Sequence, residues 1–179
     1  MRRVALSAAA ALAAAVIGIG GIGDGFGAEP SVPAGGGDLS AAVLSHPSIQ
    51  LRPAARADIE RGLVDDRILW ILLLAAERHT LSSVGPLVSD HSYYVAGTTR
   101  PSNHAFGRAV DFSVVDGRAV SAANPGALEL ARFLGSLPPP LRPDELGGPW
   151  SLDLDGVSTF TRNHADHIHT GFDSKPKEG

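Results

Sequence analysis

Hydrophobic and polar positions divide the chain after residue 50 into short helical and short extended patterns. A helical pattern covers residues 53–61, and a second one runs from an aspartate cap at 65 or 66 to residue 79. The centre of the second pattern, 68–76, is continuously apolar. It is too short to span a bilayer, so it predicts a buried core helix. Asn124-Pro125 predicts a further helix, with proline at its first position, that ends near residue 134.

Extended patterns rich in branched and aromatic residues predict four strands, at 80–88, 93–97, 108–115 and 166–172. Asp116-Gly117 is a turn signal, so residues 118–121 are expected to return as a hairpin. The proline-rich stretch 137–150 is predicted to be a loop. The helical and extended patterns do not alternate in the regular way that a parallel sheet requires. The chain is therefore predicted to be an α+β protein.

The N-terminus has the pattern of a secretory signal. Two arginines precede the twenty uncharged residues 4–23, and small residues that follow offer cleavage sites. An uncleaved membrane anchor is the alternative, although the glycines of this run weaken a membrane-spanning helix. We assign residues 1–28 to a signal peptide or N-terminal anchor, 29–50 to a Pro/Gly-rich tether and 51–179 to the domain. The protein is therefore expected to be secreted or extracytoplasmic and associated with the cell envelope.

Composition narrows the chemistry that the domain can carry. The chain has 179 residues and a net charge of -4, with no basic run that would favour nucleic acid or an anionic membrane. It has no cysteine, so a transition-metal site would have to use histidine and carboxylate ligands. We expect no nucleic-acid partner, membrane contact only through an uncleaved N-terminal segment, and no obligate protein partner.

Two segments hold the residues that are best suited to bind a metal ion. SNHAFGRAVD places His104 seven residues before Asp111, and HADHIH packs three histidines and an aspartate into six residues. Side chains repeat every two residues along a strand, so His167 and His169 are expected on one face. A zinc enzyme needs three such ligands, an open position for water, and a nearby carboxylate that accepts the proton of the water.

The first segment resembles the Ser-x-His-x-x-Gly-x-Ala-x-Asp signature of the zinc D-Ala-D-Ala carboxypeptidase and L-alanyl-D-glutamate endopeptidase family. Every fixed position of the signature is met, by Ser102, His104, Gly107, Ala109 and Asp111. The third ligand of the family is a histidine that follows an acidic catalytic base by three positions. Asp166 and His169 match this second pattern, so the resemblance covers roughly residues 55–173.

The resemblance implies a hedgehog-type fold, with flanking helices on a small, mostly antiparallel sheet and a zinc site on the sheet face. The implied ligands of Zn²⁺ are His104, Asp111 and His169. Asp166 would be the general base, and His167 would assist catalysis. Arg100 is a candidate for binding the oxyanion or a substrate carboxylate.

The activity implied by the resemblance is hydrolysis of peptide bonds in the stem peptides of peptidoglycan, as a D,D-carboxypeptidase or as an endopeptidase. The alternative is a non-catalytic, zinc-containing binding module of the same fold that acts at the cell wall. Such a module would keep the three ligands but would not need Asp166. His164 is expected in a loop, and His91 either beside the site or on the surface.

Overall fold

A computed structural model describes residues 38–173, which form an α+β domain as the sequence predicts. The predicted signal segment and the first part of the predicted tether lie outside the described residues. Within the described range, no helix is long and apolar enough to cross a bilayer.

Four α-helices lie within residues 38–173: α1 Leu39–Ser45, α2 Pro53–Glu60, α3 Asp66–Ala76 and α4 Pro125–Gly135. Side-chain caps fix two of the helix starts. The Asp65 carboxylate accepts a hydrogen bond from the backbone N–H of Arg67, and the Asn124 side chain accepts one from Ala127. Helix α3 is the predicted core helix, with Ile68, Ile71 and Leu72 fully buried. It ends three residues before the predicted end at residue 79.

In the described part of the chain, seven strands form a single sheet: β1 Ile49–Leu51, β2 Leu81–Val84, β3 Ala109–Val115, β4 Arg118–Ala119, β5 Glu145–Gly147, β6 Ser158–Phe160 and β7 Ile168–Gly171. Their order is β1-β2-β3-β7-β5-β6, and β4 pairs with β3 as the predicted hairpin. The β1–β2 and β5–β6 pairs are parallel and the other pairs are antiparallel. The expectation of a mostly antiparallel sheet is thus corrected to a mixed sheet. Helices α2 and α3 form the crossover that makes β1 and β2 parallel.

Two predicted loop or tether segments are part of the folded domain. Residues 39–50, assigned to the tether, form α1 and begin β1, and they bury Val43 and Ile49 in the core. The domain therefore begins near residue 39 rather than at 51. The proline-rich stretch 137–150 contains β5, which is buried along its whole length. No alternation of polar and apolar residues marks β5, because all three of its residues are buried.

The strand predicted at residues 93–97 does not form. Aromatic and branched residues suggested it, but only an isolated bridge joins Tyr94 to Pro101. The segment turns back on itself, because the N–H of Val95 donates to the carbonyl of Arg100. The rings of Tyr93 and Tyr94 are about half exposed as a result.

Candidate metal centre

The two central strands bring a carboxylate and a histidine together. Asp111 of β3 lies directly opposite His169 of β7 in the antiparallel register, and Phe112 lies opposite Ile168. Successive side chains alternate between the two faces of a strand. Phe112 and Ile168 fill the core, so Asp111 and His169 point to the other face of the sheet.

A short 3₁₀ turn, Asn103–Phe106, supplies the second histidine. The Ser102 hydroxyl accepts a hydrogen bond from the backbone N–H of His104 and starts the turn. Gly107 ends the turn with φ of 67°, in the left-handed region. A Cβ atom at this position would collide with the backbone carbonyl of Leu63. A glycine is therefore required where the chain passes from His104 into β3.

Three potential ligand atoms converge at this place. His169 Nδ1 lies 3.0 Å from Asp111 Oδ1, His104 Nε2 lies 3.3 Å from the same oxygen, and the two nitrogens are 3.2 Å apart. All three residues are buried. The cluster could therefore hold a metal ion, and it consists of the three ligands that the sequence predicts.

Hydrogen bonds behind the cluster orient both imidazoles. His104 Nδ1 lies 3.0 Å from the carbonyl oxygen of Leu87, which can only accept, so Nδ1 carries a proton and the Nε2 lone pair faces the cluster. His169 Nε2 lies 3.0 Å from Glu145 Oε1, an equally suitable acceptor. This is the arrangement in which metal-binding histidines usually occur, with the second ring nitrogen donating to a carbonyl or carboxylate.

Charge in the cluster is balanced around His169. Burial alone would lower the pKa of His169, but hydrogen bonds to Asp111 and Glu145 outweigh burial and raise the pKa to about 9. Burial would raise the pKa of Glu145, yet its contact with His169 lowers that pKa to about 2. The pKa of Asp111 is also far below its usual range, because the two histidines outweigh the effect of burial. A cation is therefore favoured between these carboxylates, and a metal ion would replace the proton.

The predicted catalytic pair lies next to the cluster. The carboxylate of Asp166 is 88% exposed and accepts a hydrogen bond from His167 Nδ1 at 2.8 Å. This bond lowers the pKa of Asp166. His167 Nε2 lies 3.9 Å from Asp111 Oδ2. Asp111, Asp166 and His167 line one open cleft of about 620 Å³.

Arg100, the predicted oxyanion or carboxylate ligand, does not line this cleft. Its guanidinium lies 3.6 Å from Glu145 Oε2 and 3.8 Å from Asp173 Oδ1. Glu145 is bound to Nε2 of His169, whereas the potential ligand atom of that ring is Nδ1. Arg100 is therefore tied to the side of His169 that faces away from the cluster.

A different arginine, missed by the sequence analysis, lines the cleft. Arg52 lies there together with Asp111 and His167, and two hydroxyls hold its guanidinium. Nε donates to Ser83 Oγ at 3.1 Å, and Nη2 donates to Ser113 Oγ at 3.0 Å. The only local signal of Arg52 is its position before a proline at a helix start, which does not indicate a functional role.

Two further histidines surround the cluster. The His91 ring stacks on His104 with 4.1 Å between ring centroids and an interplanar angle of 21°. His91 therefore lies beside the site, one of the two places expected for it. His164 precedes β7, as expected for a loop residue, and its ring packs on His167 at 4.7 Å. His91 thus flanks the candidate ligand His104, and His164 flanks the catalytic candidate His167.

Comparison with known proteins finds no family model, curated protein or solved structure that matches this chain. The residues of the site and their geometry are therefore the basis on which its function can be inferred.

Proposed function

We propose that this protein is a secreted, zinc-dependent peptidase that hydrolyses peptide bonds in the stem peptides of peptidoglycan. The observation that carries the proposal is the convergence of the ligand atoms of His104, Asp111 and His169. The segments that supply them are the ones that resemble the zinc D-Ala-D-Ala carboxypeptidase family, in the same order and with the same spacing.

The donor set fits zinc. Two atoms that each bind zinc at about 2.0–2.1 Å in a tetrahedral arrangement lie about 3.3 Å apart. The three separations here, 3.0, 3.2 and 3.3 Å, are close to that value. Two nitrogens and one carboxylate oxygen leave a fourth position, as in catalytic zinc sites. Bound zinc would supply a Lewis acid that polarises the scissile carbonyl and lowers the pKa of the attacking water.

Asp166 and His167 would move the proton. The Asp166 carboxylate holds the Nδ1 proton of His167, so the Nε2 lone pair of that ring faces the cleft beside Asp111. We assign proton transfer to this pair rather than to Asp166 alone. His167 Nε2 accepts the proton from the attacking water and delivers it to the leaving amine, while Asp166 orients the ring and stabilises its protonated form.

Arg52 would anchor the substrate. Stem peptides carry free carboxylates, and a guanidinium held by two hydroxyls keeps donors available for one. We therefore assign to Arg52 the binding of a substrate carboxylate, which the sequence predicted for Arg100. Both a carboxypeptidase and an endopeptidase are compatible with this placement, because terminal and side-chain carboxylates present the same group to an arginine.

The non-catalytic zinc module is the second candidate. The observation that favours it is the exposure of the Asp166 carboxylate, whose hydrogen bond is with His167 and not with a ligand atom. In a binding module, replacement of Asp166 would leave zinc content unchanged, and the wild type would have no hydrolysis to lose.

The test is to measure zinc content and peptide hydrolysis together. Purified protein is loaded with zinc and incubated with synthetic stem pentapeptide and with cross-linked muropeptides, and the products are identified by mass spectrometry. About one zinc per chain with release of a defined product supports the peptidase. Bound zinc without any product supports the binding module, and no bound zinc contradicts both.

A further inference from the structure

Glu145 is a buried carboxylate in β5, a strand where an apolar side chain would ordinarily be expected. All three residues of β5 are buried, and Glu145 is 7% exposed. Burial of a carboxylate is unfavourable unless its partners compensate, and an apolar residue often stabilises such a position equally well. The partners of Glu145 are therefore the place to look for a role.

From these contacts we infer that Glu145 is the positioning residue of the metal ligand His169. A neutral imidazole carries one proton, which can be on either ring nitrogen. His169 has a carboxylate at each nitrogen, with Asp111 at Nδ1 and Glu145 at Nε2, both at 3.0 Å. Asp111 is itself a ligand, so the proton must be on Nε2 for Nδ1 to bind metal. Glu145 holds it there.

A glycine opposite Glu145 leaves room for this contact. Gly171 lies opposite Glu145 in the β5–β7 register. A Cβ atom on Gly171 would lie 2.8 Å from Glu145 Oε1 and 3.2 Å from His169 Nε2. A side chain at 171 would therefore crowd the carboxylate and the ring nitrogen that it contacts. The missing side chain leaves the space that the hydrogen bond occupies.

Two further residues brace the carboxylate. The Asn103 side-chain amide donates to Glu145 Oε1 at 2.7 Å and also to Asp173 Oδ1 at 3.0 Å. Arg100 lies 3.6 Å from Glu145 Oε2. Asn103 directly precedes His104 in the same turn. This turn therefore supplies one proposed ligand and also the amide that holds Glu145, the partner of the other histidine ligand. Arg100 thereby acts on the site through Glu145.

The inference rests on the proposed function only in that the cluster binds zinc, and its test measures metal affinity rather than activity. The zinc affinity of the full-length protein is measured by competition with a chromogenic chelator. Glu145→Leu removes the acceptor, Glu145→Gln keeps an acceptor oxygen without the charge, and Glu129→Gln on the exposed side of α4 is the matched control. We expect about 100-fold weaker binding for Glu145→Leu, about ten-fold for Glu145→Gln, and no change for the control.

A second readout separates positioning from general damage. In zinc-free protein with ¹⁵N-labelled histidine, at a pH where the ring of His169 is neutral, the two nitrogens of His169 are distinguished by their chemical shifts. We expect the proton on Nε2 in the wild type and a mixture of tautomers in Glu145→Leu. A folded Glu145→Leu protein with wild-type zinc affinity and the wild-type tautomer would overturn the inference alone. Absence of zinc from the wild type would overturn it together with the proposed function, whereas zinc without hydrolysis overturns only the peptidase.

Discussion

Asp111 and His169 lie directly opposite each other on neighbouring antiparallel strands, and their side chains meet with 3.0 Å between Oδ1 and Nδ1. This pairing places two of the three candidate ligands on the most constrained part of the fold, because β3 and β7 are the two central strands. Ligands on packed strands are held more precisely than ligands on loops. Only His104 is supplied by a turn, and its tautomer is fixed by the Leu87 carbonyl.

The first prediction concerns the metal. His104→Ala and Asp111→Asn should each abolish stoichiometric zinc binding, because two remaining ligands cannot hold the ion. In the wild type, zinc at 100 times its dissociation constant should raise the free energy of unfolding by about 2.7 kcal/mol. Urea unfolding with zinc or with a chelator measures this difference.

His46→Gln is the control for the metal prediction, because His46 lies at the end of α1 and bonds to the backbone N–H of Ser48. It should keep full zinc binding. Equal unfolding curves with zinc and with chelator in the wild type would contradict a site that binds metal in the folded state.

The three residues of the cluster could be predicted from sequence because each is fixed by the pattern of a short segment. His104 and Asp111 are fixed by one turn and one strand, and His169 by the alternation of another strand. Glu145 and Arg52 could not be predicted in this way. Glu145 reaches the site only because β5 pairs with β7, and Arg52 only because β1, which directly precedes it, pairs with β2. Partner choice in a sheet depends on packing between distant segments, which short patterns do not contain.

The second prediction concerns the Asp166–His167 pair. Asp166→Asn and His167→Ala should each lower hydrolysis by about 10²- to 10⁴-fold, because each removes part of one proton-transfer unit. Zinc content should stay at the wild-type level, since neither residue belongs to the three-atom cluster. Steady-state kinetics with a stem peptide gives the rates.

The double variant shows whether the two residues act together. If they form one unit, the double variant should lose no more activity than the worse single variant. Losses that multiply would contradict the pair and would return the role of base to Asp166 alone.

The third prediction compares the two arginines. Arg52→Gln should raise KM by about 10-fold or more for a substrate with a free carboxylate, because a charge-assisted hydrogen bond contributes about 1.5–3 kcal/mol. The same substrate with an amide in place of the carboxylate should show no difference between variant and wild type. Arg100→Gln should change KM by less than about two-fold, since Arg100 contacts Glu145 and Asp173 instead of lining the cleft. The opposite pattern would restore the role first assigned to Arg100.

The fourth prediction tests the glycine turn that carries His104. Gly107 and Gly117 have nearly the same φ, 67° and 71°. A Cβ atom at 107 would collide with the backbone of Leu63, whereas a Cβ atom at 117 would have no atom within 4 Å. Gly117→Ala should cost only the left-handed strain, about 1 kcal/mol, and should keep zinc affinity. Gly107→Ala should cost about 2–4 kcal/mol in total and weaken zinc binding, because the turn must move. Equal losses in the two variants would show that the Leu63 contact is unimportant.

The fifth prediction concerns Asp58, a fully buried residue of α2. Its carboxylate holds the segment that precedes His91 by hydrogen bonds. It accepts hydrogen bonds from the backbone N–H groups of Val88 and Ser89 and from the Ser89 hydroxyl. Burial alone would raise the pKa of Asp58, but these bonds lower it below the ordinary value. Asp58→Asn should therefore lower the free energy of unfolding by about 2 kcal/mol at pH 7.

The pH dependence follows from the direction of that shift. Because the pKa of Asp58 is lower in the folded than in the unfolded protein, its contribution to stability is fully present well above the ordinary pKa of about 3.9. It is lost as the pH falls below that value and through the folded-state pKa. The difference in unfolding free energy between wild type and Asp58→Asn should therefore be largest near neutral pH and shrink toward pH 3. A difference that stays constant between these conditions would mean that Asp58 is protonated in the folded protein.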